Sequence, residues 1–202
     1  IGGIQTTIND EGQAVANTIL GTDGNPAILR GSGWVTSKTE YDANGYPSKV
    51  TYFNLSGDTC RTSNGFAYMV MENDSAGSVL SRWFYDVSGE LVNITGGYAG
   101  EERQYDSRGN CVSIRYFGTD KNPILLENGN AGMLYTYDDR NMCVSYTFIG
   151  VDGNPCLSTY GTSKSCLTFD MRGNEIKREF FGVDGKRVES KEDVAGWNNV
   201  YD

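Results

Sequence analysis

Short runs of aromatic and β-branched residues recur along the whole chain, and apolar and polar side chains partly alternate within them. Residues 112–117, 144–149 and 176–181 are three such runs. This pattern is typical of strands that cover one face. No window of 12 residues gives a convincing apolar stripe at i, i+3, i+4 and i+7, and the frequent glycines would break a helix. The expected fold class is all-β.

A repeat with a period of 32 residues organises these runs. A glycine or an asparagine three residues after an aspartate marks a turn position with positive φ in five copies. The units run over about 9–41, 42–73, 74–105, 106–137, 138–169 and 170–201, in a single repeat domain over 1–202 that we expect to be a fragment of a longer array. The recurring aspartates are Asp42, Asp74, Asp106, Asp138, Asp170 and Asp202, and an earlier copy at Asn9 is displaced by one residue.

Each unit also carries a second turn and a glycine corner. The second turn reads Gly-Val-Asp-Gly-Asn-Pro over 150–155 and is degraded in the copies at Ser56 and Ser88. Aspartate followed by glycine between apolar runs favours a hairpin. One unit of this size cannot bury its own apolar face, so neighbouring units must stack. We expect an open stacked array of about six units, either a solenoid or an extended hairpin sheet. The alternative is a closed β-propeller-like ring, although propeller blades take roughly 40–50 residues.

Composition excludes several functions. The chain has 202 residues, 17 Lys and Arg against 26 Asp and Glu, a net charge of −9 and no histidine. Catalysis and metal binding that need histidine are therefore excluded, and we expect no enzyme, no catalytic residue and no cofactor. The negative charge argues against a nucleic-acid partner. No run approaches the ~18 apolar residues of a membrane-spanning helix, so we expect no membrane insertion.

The aspartates and cysteines have structural interpretations. An aspartate that opens a turn bonds the backbone two residues on, and a repeated turn repeats its aspartate. Calcium binding is the alternative, but the spacing does not match known calcium loops, and we expect no metal site. Cys60 and Cys156 share a repeat column with Val92, Ile124 and Val188. We therefore expect the five cysteines to be free and mostly buried thiols.

Three aromatic residues are the candidate binding residues. Trp34, Phe66 and Tyr98 each follow a corner glycine, where a loop can present a ring to the apolar face of a sugar. Packing of the corner against the next unit is the alternative. The column continues as Asn130 and Thr162, so a sugar site would not recur in every unit.

The sequence over residues 105–123 reads Tyr-Asp-x-x-Gly-Asn followed by an aromatic-Gly-x-Asp turn that ends in proline. It resembles bacterial tandem β-hairpin repeats, namely the YD repeats of RHS-type proteins and the glucan- or choline-binding repeats of Gram-positive surfaces. The first resemblance implies a β-sheet shell. The second implies sugars held between aromatic residues of successive hairpins, although Gly-Trp occurs here only at Gly33 and Gly196.

These features predict a non-catalytic, secreted or cell-surface repeat module that binds carbohydrate or cell-wall polysaccharide. The alternative is a structural shell, stalk or filament-forming segment without a small ligand. Residues 1–8 carry no charge and the chain ends in a bare strand, so neither end resembles a polar cap. We therefore expect another copy of the chain, joined end to end, as a second kind of partner besides polysaccharide.

Overall fold

Thirteen strands form the part of the chain that a computed structural model describes, residues 2–28, 31–191 and 195–199. The all-β fold class is confirmed. Within these residues, no helix is long and apolar enough to cross a membrane. The strands are β1 (Gly3–Ile8), β2 (Ala14–Leu20), β3 (Thr36–Tyr41), β4 (Pro47–Phe53), β5 (Tyr68–Asn73), β6 (Val79–Tyr85), β7 (Gly100–Tyr105), β8 (Cys111–Phe117), β9 (Gly132–Tyr137), β10 (Cys143–Ile149), β11 (Lys164–Phe169), β12 (Glu175–Phe181) and β13 (Gly196–Asn198).

The strands follow one another in the sheet in the same order as in the chain, from β1 to β13. Neighbouring strands are antiparallel, and in the described residues β1 and β13 have one strand neighbour each. This order confirms the open extended hairpin array, and the closed ring is wrong.

The chain divides into two compact units. The first comprises Ile1–Glu101 with Gly118–Lys121, and the second comprises Glu102–Phe117 with Asn122–Asp202. The hairpins β1–β2, β3–β4 and β5–β6 lie in the first unit, and β9–β10 and β11–β12 lie in the second. The single repeat domain over 1–202 stays a prediction.

The 32-residue period appears in the structure as a recurring turn and bulge. In the β3–β4 hairpin, Gly45 donates its N–H to the carbonyl of Asp42 at 3.0 Å and has φ of 84°. The strand register then shifts between Glu40 and Tyr41. A tight turn that ends in a left-handed residue produces such a bulge. Asn141 takes the same conformation in β9–β10, with φ of 61°, so the predicted glycine or asparagine position is confirmed.

The core is a narrow column at the glycine corners. One small residue per corner, immediately after the corner turn, is almost fully inaccessible to solvent. Its N–H and C=O bond the strands on either side; for example, Ala67 donates to the Tyr85 carbonyl at 2.7 Å and accepts from Tyr52 at 3.0 Å. Small side chains at these points let successive hairpins approach closely. The column consists of Val35, Ala67, Ala99, Ala131 and Ser163.

Substitution of Gly109 by alanine should cost about 1–2 kcal/mol of unfolding free energy, because the left-handed conformation crowds a Cβ against its own backbone. Gly109 has φ of 82°, and no other atom lies within 4 Å of an added Cβ. Gly3→Ala is the matched control, since its added Cβ also meets open space but its backbone is that of a strand. Urea unfolding measures both, and equal losses would contradict the interpretation.

Candidate functional site

The recurring aspartates cap the hairpin turns. The Oδ1 atom of Asp42 accepts hydrogen bonds from the N–H groups of Asn44 and Tyr46, both at 2.9 Å. The Tyr46 N–H is the main reason that the pKa of this carboxyl lies below its usual value. The described residues contain no group of three or more His, Cys, Asp or Glu positioned to hold a metal ion. The same two bonds recur at Asp74, Asp106, Asp138 and Asp170, which confirms the turn interpretation for these residues. Tyr201 and Asp202 lie outside the described residues.

The second turn of each unit occurs in two forms. Where it begins with glycine, its third residue caps it, as when Asp152 accepts from the N–H of Asn154 at 3.0 Å. In the copies that look degraded in the sequence, the cap moves to the first residue. Asp86 accepts from the Ser88 hydroxyl at 2.6 Å and from the Ser88 N–H at 2.8 Å. These bonds, the hydroxyl first, lower the pKa of Asp86 to about 2.

Side chains also link successive turns along one edge. Within the second unit, Nη1 of Arg108 donates to the carbonyl of Asp138 at 2.8 Å, and Nη1 of Arg140 donates to the carbonyl of Asp170 at 2.7 Å. In the first unit, Nε2 of Gln13 donates to the carbonyl of Gly45 at 3.3 Å. The turn edge is therefore a continuous structural element within each unit.

The three predicted binding aromatics belong to one row of rings in the first unit. Corner rings alternate with strand rings in the order Trp34, Tyr52, Phe66, Phe84 and Tyr98. The successive ring centroids are 5.1, 5.6, 4.9 and 5.9 Å apart. Tilted and edge-to-face contacts at these distances are the favoured packing of aromatic side chains.

This row explains what the corner rings do. Phe66 is 6% exposed, and neighbouring rings pack on both of its sides. Trp34 and Tyr98 are half-buried. The contacts therefore match the alternative of corner packing, and Phe66 has no open face for a ligand. A sugar-binding role for Trp34 and Tyr98 stays a prediction.

A pocket opens in the second unit where the row of rings is interrupted. Phe148 and Phe180 occupy the strand column of Tyr52 and Phe84, as their shared backbone hydrogen bonds show. Between them the corner residue is Thr162 instead of a ring. The resulting cavity has a volume of about 370 Å³, and Tyr146, Tyr160 and Trp197 also line it.

Arg178 gives this pocket a fixed polar group. Its Nε and Nη2 atoms donate to the two carboxylate oxygens of Glu175 at 2.7 and 2.8 Å. The guanidinium carbon lies 5.2 Å from the ring centre of Trp197. The hydrogen bonds to Glu175 are the main cause of the raised pKa of Arg178. Sequence analysis missed this group, although Thr162 in the aromatic column was a signal of the space beside it.

The five cysteines are free thiols, and each is half-buried. The expectation of mostly buried thiols was therefore too strong. The shared column is real, because Cys60, Val92 and Cys156 make equivalent backbone bonds to the preceding strand. The Sγ atom of Cys60 also donates to the carbonyl of Gly33 at 3.5 Å. Burial raises the pKa of the Cys60, Cys143 and Cys156 thiols.

The fold defines a tandem β-hairpin repeat protein. No protein-family model and no curated protein matches the chain. Among solved structures, it is similar to a chain of the Photorhabdus luminescens Tc holotoxin pore, with 16% identity and a TM-score of 0.43 over 96% of this chain and 9% of that chain. A TcdB2-TccC3 structure matches with 14% identity and a TM-score of 0.33 over 85% and 9%. The chain thus spans about a tenth of the length of these neighbours. They are compatible with the resemblance to RHS-type repeats and give no support to the resemblance to choline-binding repeats.

Proposed function

We propose that the chain is a non-catalytic structural module, a section of an extended hairpin array that is lengthened by strand pairing at its free edge. The observation that carries this proposal is the exposure of β1. Interior strands of the array have a neighbour on both sides, whereas β1 pairs with β2 alone in the described residues. An unpaired strand edge is a template for another strand.

A position-by-position comparison shows what β1 lacks. Ile4 lies opposite Ile19, just as Ser37 lies opposite Tyr52 and Ser165 opposite Phe180. Ser37 and Ser165 are 9% and 1% exposed, because a strand covers their other side. Ile4 is 67% exposed. The apolar side chain that sits at a covered position is therefore the one left open.

Proteins usually protect an exposed edge with charged residues, proline or a covering loop. The β1 sequence, Gly-Ile-Gln-Thr-Thr-Ile, has neither charge nor proline. A hairpin of the same kind fits this edge, because it would repeat the strand pairing already made between successive hairpins. We propose a second copy of this chain as the partner that supplies it.

Light scattering over a concentration series tests this assembly. The mass of the wild-type chain should rise with concentration, and Ile4→Lys should weaken association by about tenfold or more, because burial of one isoleucine contributes about 1.5–3 kcal/mol. Thr7→Lys is the control, since it adds the same charge to another exposed position of β1. A wild-type chain that stays monomeric at high concentration would contradict the proposal.

Carbohydrate binding is a second candidate function, because aromatic rings line an open pocket in the second unit. It is compatible with a structural array, since the pocket and the β1 edge involve different residues. We propose an extracellular or cell-surface location for either function, as the sequence predicts.

A further inference from the structure

We infer that the pocket of the second unit is a binding site for a neutral sugar ring, formed where the first unit places its own side chains. The inference rests on the carbohydrate-binding candidate and is independent of assembly through β1. It concerns residues other than Trp34, Phe66 and Tyr98.

Three large apolar residues of the first unit are replaced by hydroxyl residues around this pocket. Three periods of 32 residues separate Phe66 from Thr162, Met69 from Ser165, and Ile94 from Ser190. Strand pairing supports the second pair, because Met69 lies opposite Phe84 and Ser165 lies opposite Phe180. Thr162, Ser165 and Ser190 all line the cavity. The loss of these side chains opens the space.

The walls of the pocket stay aromatic while three positions around it become polar. Tyr146 and Phe148 have ring centroids 5.6 Å apart in an edge-to-face contact, and Phe180 lies across the position of Thr162. A purely apolar ring would be better served by residues such as Phe66, Met69 and Ile94, because buried hydroxyls lose hydrogen bonds against it. The fitting occupant has an apolar face and hydrogen-bonding groups around it. A pyranose ring has both.

Charge selects a neutral occupant. Arg178 lines the pocket, but its bidentate ion pair with Glu175 balances its charge. A carboxylate ligand would have to compete with Glu175 for the guanidinium, and a cationic ligand would be repelled by it. The ion pair instead holds fixed donors and acceptors beside the pocket, and these suit sugar hydroxyls.

Size and access agree with a single sugar unit or a short oligosaccharide. The volume of about 370 Å³ is at the lower end of the range of roughly 300–1,000 Å³ found for small-molecule sites. Tyr160 is 56% exposed at the corner, where it can cover one face of a ring that enters from solvent.

Titration calorimetry with soluble tetrasaccharides of glucose and of N-acetylglucosamine, each tested separately on the full chain, examines this site. Thr162→Phe restores the ring that the first unit has at this position, so it should fold and should weaken binding by about tenfold or more. Thr159→Phe is the matched control, because it adds the same ring at an exposed residue outside the pocket lining, and binding should change less than twofold. Tyr160→Ala removes an exposed wall of the pocket and should also weaken binding if Thr162→Phe fails to fold.

The outcomes separate the inference from the function on which it rests. If the wild-type chain binds neither tetrasaccharide, both are overturned. If it binds one of them and neither Thr162→Phe nor Tyr160→Ala weakens binding, the chain binds carbohydrate elsewhere and this pocket is not the site. Binding of phenol together with no binding of either sugar would replace the sugar by an aromatic ligand and would overturn the inference.

Discussion

Replacement of Phe66 by alanine should lower the free energy of unfolding by about 3–5 kcal/mol, the usual cost of removing a buried aromatic ring. Phe66 is 6% exposed and lies between Tyr52 and Phe84, whose ring centroids are 5.6 and 4.9 Å from its own. Both neighbours would lose a packing partner. They belong to strands β4 and β6, so the cavity would open between two successive hairpins.

Urea unfolding monitored by circular dichroism measures this loss. Leu55→Ala is the control, because Leu55 is 59% exposed in a turn of the same unit and its truncation should change stability by less than about 0.5 kcal/mol. Since stability in repeat proteins is carried by contacts between neighbouring units, we expect the first unit to lose cooperativity with its neighbours. Equal effects of the two substitutions would show that the row of rings does not hold the hairpins together.

The turns were predictable because their residues have local conformational preferences. An aspartate that can cap the turn and a glycine that adopts positive φ act within four residues, so the period alone locates them. Gly45 with φ of 84° and Asp42 with two backbone hydrogen bonds are examples. The displaced caps at Asn54 and Asp86 were missed because the same turn can be closed from its first or its third position.

The role of the corner residues could not be predicted from the same pattern. Whether a ring at a corner faces solvent or its neighbours depends on what lies opposite it on two other strands. Phe66 meets rings on both sides and is buried. Thr162, in the same column, leaves a cavity that involves Arg178 and Trp197 from later strands. Sequence analysis saw the change in the column but had no measure of the space it creates.

The half-buried cysteines have a related explanation. A column shared with valine and isoleucine identifies apolar surroundings, but it does not give the depth of burial. Cys60 follows the second turn and forms its backbone bond with the outer part of β4. In a sheet whose covered column is as narrow as Val35 to Ser163, such a position is partly open to solvent.

The stability of the array should fall steeply as the pH is lowered from about 4 towards 2. Backbone and side-chain hydrogen bonds lower the pKa of the capping carboxyls below the ordinary value of 3.8, to about 2 for Asp86. The unfolded chain therefore binds protons at a higher pH than the folded chain does. The stabilisation is complete above the unfolded pKa and is lost as the pH falls through the folded pKa. The affected residues are Asp23, Asp42, Asp74, Asp86, Asp106, Asp138, Asp152 and Asp170.

The chain itself supplies an uncharged version of the cap. Asn9 accepts hydrogen bonds through Oδ1 from the N–H groups of Glu11 and Gln13 at 3.2 and 2.8 Å, so asparagine can close the first turn of a unit. A variant with Asp42→Asn, Asp74→Asn and Asp170→Asn should therefore keep the fold at pH 7. Its unfolding midpoint in urea should depend less on pH between 5 and 2 than that of the wild-type chain, because three of the titrating caps are gone.

A variant with Asp10→Asn, Glu72→Gln and Asp139→Asn is the control. It removes the same number of charges from exposed positions that do not cap a turn. Its pH dependence should follow that of the wild-type chain, since a general reduction of negative charge leaves the capping carboxyls in place. If both variants flatten the acid limb equally, net charge governs the acid response. If only the capping variant does so, the repeated aspartates connect the 32-residue period to the stability of the array through the protonation of its turns.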